Sequence, residues 1–268
     1  MALPRFNSLW VGRDLAYLER LCLQSARAVG HEFVVWSYEP EKLGGVPDGF
    51  EVRDAAEVMP KERLLRYRDT GAVALGANLW RIELLAKGLG YWVDMDFIFL
   101  KPFDFPQPYV FGWEHAGWVS NGVMLAPPGT PFIHDLQSIP QPNVRPPWFG
   151  PKRTLNYYWR RLREGNLGIE DMPWGTYSVG LLTYCVKKHK LEQYVVRPEV
   201  FYPVEWKNAK MIYGPAAEVE ALIKDDTRAV HMWHSRLHEL VHAPPPPGSY
   251  VDVMCKRFGV ATDDAVRA

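Results

Sequence analysis

A chain of 268 residues, 47% of them hydrophobic, is long enough to bury one large globular core. Its 31 Lys and Arg balance 31 Asp and Glu, so the sequence does not advertise the basic groove of a nucleic-acid binder. The basic run from Lys61 to Arg68 reads as a solvated helix face. Cys22, Cys185 and Cys255 are far apart and form no C-x-x-C pair, which argues against a disulfide framework and a thiolate zinc site and fits a reducing compartment.

No apolar run approaches the ~20 residues of a membrane span. The first residues, MALPRFNSLWVGRD, lack a basic segment followed by an apolar one. The expected location is cytoplasmic, with any membrane association peripheral.

In chain order, FNSLWVG (Phe6–Gly12) reads as a strand. Leu15–Gly30 reads as a helix with Leu15, Leu18, Leu21 and Cys22 on one stripe. Glu32–Tyr38 and Gly49–Ala55 read as strands, and Val73–Gly90 as a long helix. Tyr91–Leu100, YWVDMDFIFL, reads as a strand with an acidic interruption. Tyr109–His115 and Trp118–Ala126 continue the strands. Prolines between Ile139 and Pro151 mark a long loop, and helical patterns resume at Leu155–Arg163 and Val179–His189. Alternating strands and helices predict an α/β fold with a mostly parallel central sheet flanked by helices. In such sheets ligands bind beyond the carboxyl ends of the strands, where Asp94 and Asp96 stand.

Two stretches look built for a metal. HELVH, His238 to His242, carries the letters of a zinc peptidase, in which two His one helical turn apart hold the ion and the Glu acts as base. That reading needs an α-helix through both His and a third ligand. Ala243 precedes Pro244, which pushes the backbone out of the helix just after His242, and no Glu or His follows. A helix over Trp233–Val241, polar and near its C-terminal end, is the plainer reading.

DMD follows an apolar strand and precedes another apolar run. Two carboxylates there are unsuited to a core, because a buried unpaired charge is too costly. Their hard oxygens suit Mg²⁺ or Mn²⁺ shared with a diphosphate.

The context of DMD resembles the glycosyltransferases that carry a DXD sugar-binding region, the α-1,4-galactosyltransferase and initiating mannosyltransferase group. The match runs through ANLWRIELLAKGLGYWVDMD as Asn78, Arg81, Trp92, Asp94 and Asp96. The family more often has Asp at the Asn78 position and Tyr at the Trp92 position. GWEHAGWVSNGVMLAPPGTPF, GTYSVGLLTYCV and AVHMWHSRL are similar to later family segments. Ser178 and Val179 replace a Gly-Pro pair, so a differently shaped loop is expected there. The similarity spans about residues 6 to 237.

The resemblance implies a GT-A-type fold, with a nucleotide-sugar-binding half over about 1–126 and a more irregular acceptor-side half over about 127–268. It implies a nucleotide-diphosphate sugar donor, most often a UDP-sugar, a glycan or lipid-linked acceptor, Mn²⁺ or Mg²⁺, and transfer with retention. Asp96, His231 and Asp94 are then expected at the metal, and Asp94, Asp96 and Arg81 at the chemistry. Trp10, Gly12, Asn78, Arg81, Trp92, Asp94, Glu114, Asn121 and Trp233 are expected around the donor. An inverting enzyme would need a carboxylate base, for which Glu114, Glu170 and Asp171 are candidates. A catalytically weak sugar-nucleotide-binding protein on the same fold, and the zinc peptidase, are the competing readings.

Overall fold

The computed structural model describes residues 3–262 except Arg13 and Ala116, and omits the side chains of His238 and Glu239. The strands are β1 (Phe6–Leu9), β2 (Phe33–Ser37), β3 (Glu51–Asp54), β4 (Tyr91–Val93), β5 (Phe97–Phe99), β6 (Val110–His115), β7 (Trp118–Leu125), β8 (Val195–Val196) and β9 (Ala229–His231). The helices are α1 (Tyr17–Ala28), α2 (Ala74–Ala86), α3 (Pro131–Ser138), α4 (Pro151–Glu164), α5 (Leu181–Lys188), α6 (Pro198–Phe201), α7 (Ala216–Glu220), α8 (His234–Leu237) and α9 (Tyr250–Arg257). Short 3₁₀ turns join several of them.

Seven strands form the central sheet in the order β3-β2-β1-β4-β7-β6-β8. Strands β1 to β4 pair in parallel, β7 runs antiparallel to both β4 and β6, and β8 is parallel to β6. The expected mixed α/β architecture with a mostly parallel sheet is present.

Side chains along a strand point alternately to opposite faces, and the sequence supplies an apolar residue for each. Phe33 and Val35 of β2, with Tyr91 and Val93 of β4, enter one core together with α1 and α9. Val34, Trp36 and Trp92 enter the other core, under α2, α3 and α5. The stripe predicted for the first helix is buried at all four positions, Leu15, Leu18, Leu21 and Cys22, although the helix itself begins only at Tyr17, so Leu15 packs from the segment before it. All three cysteines are free and buried.

Asn7 is a polar residue at the centre of this sheet, and its hydrogen bonds account for its burial. Its Nδ2 donates to the carbonyls of Leu89 and Tyr91 at 3.0 and 3.1 Å, and its Oδ1 accepts from Trp36 Nε1 at 3.0 Å. The turn between α2 and β4 passes through Gly90 at φ +110°, where a Cβ would come within 2.5 Å of the Arg5 carbonyl oxygen. Only glycine tolerates both the dihedral and the contact. That turn sets β4 beside β1, and so places DMD.

Several expected elements differ in extent. The first strand stops at Leu9, so Trp10 and Gly12 lie beyond it. Tyr91–Leu100 is two strands rather than one: the chain leaves the main sheet after Val93 and re-enters at Phe97 in a separate two-stranded ribbon with β9. The helix expected from Leu155 begins at Pro151, a residue suited to a first helical position because it has no N–H to leave unpaired. Helix α3 lies in a stretch to which no element was assigned, with Thr130 capping Ile133 N and Pro131 opening the helix. Helix α9 follows the Pro244–Pro247 run, capped by Ser249.

Candidate active site

The break between β4 and β5 creates the site. Asp94 follows the last residue of β4, and its N–H donates to the Gly122 carbonyl of β7 at 2.8 Å. Asp96 precedes β5. In the ribbon, Phe97 pairs with His231, and Met232 N–H donates to the Asp96 carbonyl at 2.7 Å. Two segments 135 residues apart therefore bring His231 Nε2 to 2.9 Å from Asp96 Oδ1. The other oxygen of Asp96 accepts the backbone N–H of His234 at 2.9 Å. Asp94, Asp96 and His231 each offer one ligand atom, and these atoms lie within 4.8 Å of one another.

The electrostatics of the three groups differ. Burial disfavours the Asp96 carboxylate, but the facing His231 outweighs it and holds its pKa below the usual carboxylate value. Burial likewise works against a charged His231, yet the Asp96 charge prevails and raises its pKa. Asp94 is pushed up by burial and by Asp96, with Arg81 opposing.

Arg81 reaches this cluster from α2. Its Nη1 donates to the Asn121 carbonyl at 2.5 Å and lies 3.1 Å from Asp94 Oδ1. The guanidinium lies over the Trp92 ring at 4.3 Å, and its planar, delocalised fork makes that contact together with both polar ones, which the point charge of an ammonium cannot reproduce. Trp92 Nε1 donates to the same Asp94 oxygen at 2.8 Å. One turn earlier on α2, Asn78 accepts from Asn121 Nδ2 at 2.9 Å. Sequence spacing put Asn78 and Arg81 on one helical face, and β7 supplies Asn121 to bind both.

A cavity of about 580 Å³ opens over these groups. Trp10, Asn78, Arg81, Trp92, Asp94, Asp96, Glu114, Asn121, His231 and Trp233 all line it, so ten of the expected site residues converge from six separate stretches of chain. The cavity sits where β1 and β4 end, as expected for an α/β sheet. Gly12 does not line the cavity. It packs instead against the Trp10 indole, where a Cβ would stand 3.0 Å from Nε1. Glu170 and Asp171 are also elsewhere: both are paired with Arg68, at 2.8 and 2.6 Å, and neither faces this cavity. Neither is placed to act as a base on a ligand in this cavity.

Trp233 adopts φ +56°, a conformation costly for a bulky residue. Its indole N–H donates to the Val204 carbonyl at 2.7 Å, and its ring meets His231 edge-on at 4.0 Å. Phe97 covers His231 from another side at 4.4 Å. The imidazole is thus fixed by aromatic packing as well as by Asp96, and its Nδ1 is buried with no hydrogen-bond partner among the described residues.

Sequence reading missed several lining residues. Glu19 of α1 is buried at the cavity wall; one oxygen accepts the Ala16 N–H at 2.9 Å and the other is 3.9 Å from His234. Burial raises its pKa. Trp206 and Arg236, stacked at 4.3 Å, and Trp174 stand at the rim. Ser178 and Val179 line the cavity from the turn Thr176–Gly180, a π-type turn with non-helical dihedrals at Tyr177 and Ser178.

HELVH takes a different backbone from the one a zinc site requires. Helix α8 is a single turn, and His238–His242 forms a 3₁₀ helix. With about three residues per turn, positions four apart do not share a face. The side chains of His238 and Glu239 lie outside the described residues.

No protein-family model matches the chain, and no curated protein is significantly similar to it. Among solved structures, it is similar to one described as PaToxG Glycosyltransferase, at 10% identity and a TM-score of 0.45, over 69% of this chain and 68% of that chain. A likeness this remote carries no weight in the reading of the site.

Proposed function

We propose that the chain is a metal-dependent glycosyltransferase that moves a hexose from a nucleotide-diphosphate sugar, a UDP-sugar foremost, to a hydroxyl of a glycan or lipid-linked acceptor. The observation that carries this reading is the Asp94–Asp96–His231 cluster at the wall of a 580 Å³ cavity, with Arg81 fixed beside it. Two carboxylates and one imidazole form a donor set suited to Mn²⁺, and to Mg²⁺ through the carboxylates. A divalent ion held by these three residues would supply positive charge for the departing diphosphate.

The chain's own groups would do the rest. Asp96, held ionised by His231, keeps its charge on binding. Arg81 presents a guanidinium already ordered by Asn121 and Trp92, so little reorganisation is needed when phosphate or sugar oxygens arrive. Asn78 and Asn121 offer amide groups to sugar hydroxyls. Trp10, at the cavity wall, offers a ring face to the base. Trp233 shields the reacting end from water, which limits hydrolysis of the donor. Retention with the leaving phosphate accepting the acceptor proton is part of the proposal; Glu114, whose pKa burial raises, is the carboxylate to suspect if the product is inverted. The remainder of the chain from about residue 127 supplies the acceptor side through the Thr176–Gly180 turn, Trp206 and Arg236.

The test is a thermal-shift screen of nucleotide sugars with and without Mn²⁺, followed by a transfer assay. A nucleotide sugar that stabilises only with the ion present supports the reading. Failure of every nucleotide sugar to stabilise the fold overturns it. Metal-dependent binding with no transfer or hydrolysis would instead mark a sugar-nucleotide-binding protein.

A further inference from the structure

Helix α4 carries an exposed apolar stripe that the cavity does not use. Leu155 is 73% exposed, Tyr158 55%, Trp159 53% and Leu162 85%. At 3.6 residues per turn these four fall within an arc of about 100°. Tyr157, the buried residue of the helix, lies on the opposite side. The helix is 14 residues long, and the stripe from Leu155 to Leu162 covers about 10 Å of it, two helical turns. Large apolar side chains grouped in this way mark a contact surface rather than ordinary scattered exposure.

The charge around the stripe indicates what it contacts. Helix α4 contains Lys152, Arg153, Arg160, Arg161 and Arg163 against the single acid Glu164, in a chain whose net charge is zero. Arg160 is consumed internally: it pairs with Glu164 at 2.9 Å and donates to the Asp171 carbonyl at 2.7 Å, whereas Arg161 gives one N–H to the Asn143 carbonyl at 2.7 Å and keeps its charge unpaired by any acid on the helix. By helical angle, Lys152 and Arg163 flank one edge of the stripe and Arg161 the other. Arg163 also lies over the Trp159 ring at 4.4 Å. A central band of Leu, Tyr and Trp edged by long basic side chains is the pattern of a helix lying in a membrane interface. There the apolar residues enter the acyl boundary, the aromatic rings sit at headgroup level and the cations meet anionic lipid.

We infer that α4 docks the protein on the surface of an anionic phospholipid bilayer. The helix is already formed, because Tyr157 packs into the core and Arg160 ties it to Asp171, so binding does not have to pay for folding it. Among the described residues no helix is long and apolar enough to cross a membrane, and a surface helix needs no such length. The docked face is close in the chain to the cavity rim: Met172 and Pro173 close the crevice beneath α4, and Trp174 follows at the rim. The inference stands on α4 alone and does not depend on the reading of the cavity.

The test is co-sedimentation of the full chain with vesicles of pure phosphatidylcholine and of phosphatidylcholine with phosphatidylglycerol. Binding is expected to the second and not the first, and to weaken as salt is raised. Leu155→Ser with Leu162→Ser should weaken it about tenfold or more, with the unfolding temperature unchanged because both side chains are exposed. Lys152→Gln with Arg163→Gln should weaken it and flatten the salt dependence. Absence of binding to anionic vesicles overturns the inference, as does unchanged binding by the Leu155/Leu162 variant. A concentration-dependent dimer that the same variant abolishes, without vesicle binding, assigns the stripe to a second copy and likewise overturns it.

Discussion

Replacing Asp96 with Asn tests the centre of the site with the smallest change of shape. The carboxylate takes two charge-assisted hydrogen bonds, from His231 Nε2 and from His234 N–H, each at 2.9 Å. Such bonds are worth about 1.5–3 kcal/mol each. An amide retains one acceptor and turns an N–H toward the other donor. Relief of repulsion with Asp94 offsets part of the loss, which leaves a net cost near 2 kcal/mol. For a chain of this size that lowers the unfolding temperature by about 4–8 °C. The ligand effect is separable from this. A donor present with Mn²⁺ at about 100 times its dissociation constant stabilises the native state by about 2.7 kcal/mol, a rise of about 5–10 °C. If losing the charged ligand weakens binding about 100-fold, the same concentration contributes about 0.4 kcal/mol, or ~1 °C. The assay is thermal unfolding of both proteins, with and without Mn²⁺ and nucleotide sugar. An Asp96→Asn variant that keeps the full metal-dependent rise would refute the assignment of Asp96, whatever its starting stability.

Three further outcomes are expected. Arg81→Lys loses both the Trp92 stack and the fixed contacts to Asn121 and Asp94, and transfer should fall about 30–100-fold, equivalent to 2–3 kcal/mol; steady-state kinetics retaining more than half of the wild-type kcat/KM would count against a positioned guanidinium. Gly122→Ala would place a Cβ 3.2 Å from the Tyr202 hydroxyl and 3.3 Å from both Asp94 Oδ2 and the Phe97 ring, so a stability loss of about 1–3 kcal/mol and reduced donor binding should appear together in urea titrations and thermal shifts. His31 gives a pH prediction: its Nδ1–H donates to the Pro4 carbonyl, its Nε2 accepts the Phe103 N–H, and burial lowers its pKa from 6.5. The unfolded chain therefore takes up a proton first as pH falls. The stability that His31 contributes is complete above 6.5 and declines below it. Urea midpoints should fall more steeply on acidification for the native chain than for His31→Gln, and parallel slopes would exclude His31 as the cause.

The parts of the fold that were legible in the sequence are those whose signal is local. Strands β2 and β4 carry apolar residues on both faces because both faces are covered, and that reads directly as short apolar runs; β1 keeps Phe6 and Leu9 for the two cores but places Asn7 and Ser8 between them. The D-x-D pair was visible because carboxylates interrupt such a run. Splitting of YWVDMDFIFL into two sheets was not visible, since it depends on pairing with Ala229–His231 over 130 residues away. Glu19 looked like an ordinary polar position on an amphipathic helix; only the approach of His234 turns it into a cavity wall. Glu170 and Asp171 looked available because their partner Arg68 is 102 residues from Glu170. Helix α3 did carry a readable signal, Thr130 followed by Pro131, and was overlooked beside the proline-rich loop that follows.

The ribbon of β5 and β9 has a consequence for how the site persists in time. Asp94 is anchored through its backbone to the seven-stranded sheet, whereas His231 is held by a two-stranded pairing of three residues on each side. Short ribbons open more readily than sheet interiors. Opening of β9 would carry His231 and the strained Trp233 away together while leaving β4 and Asp94 in place. Amide exchange at Val230 and His231 should therefore be faster than at Tyr91 and Val93, and slowed selectively by ligands that bridge the two segments. Occupancy of the cavity would then register as a change in the lifetime of one ribbon, even where the global unfolding midpoint moves little.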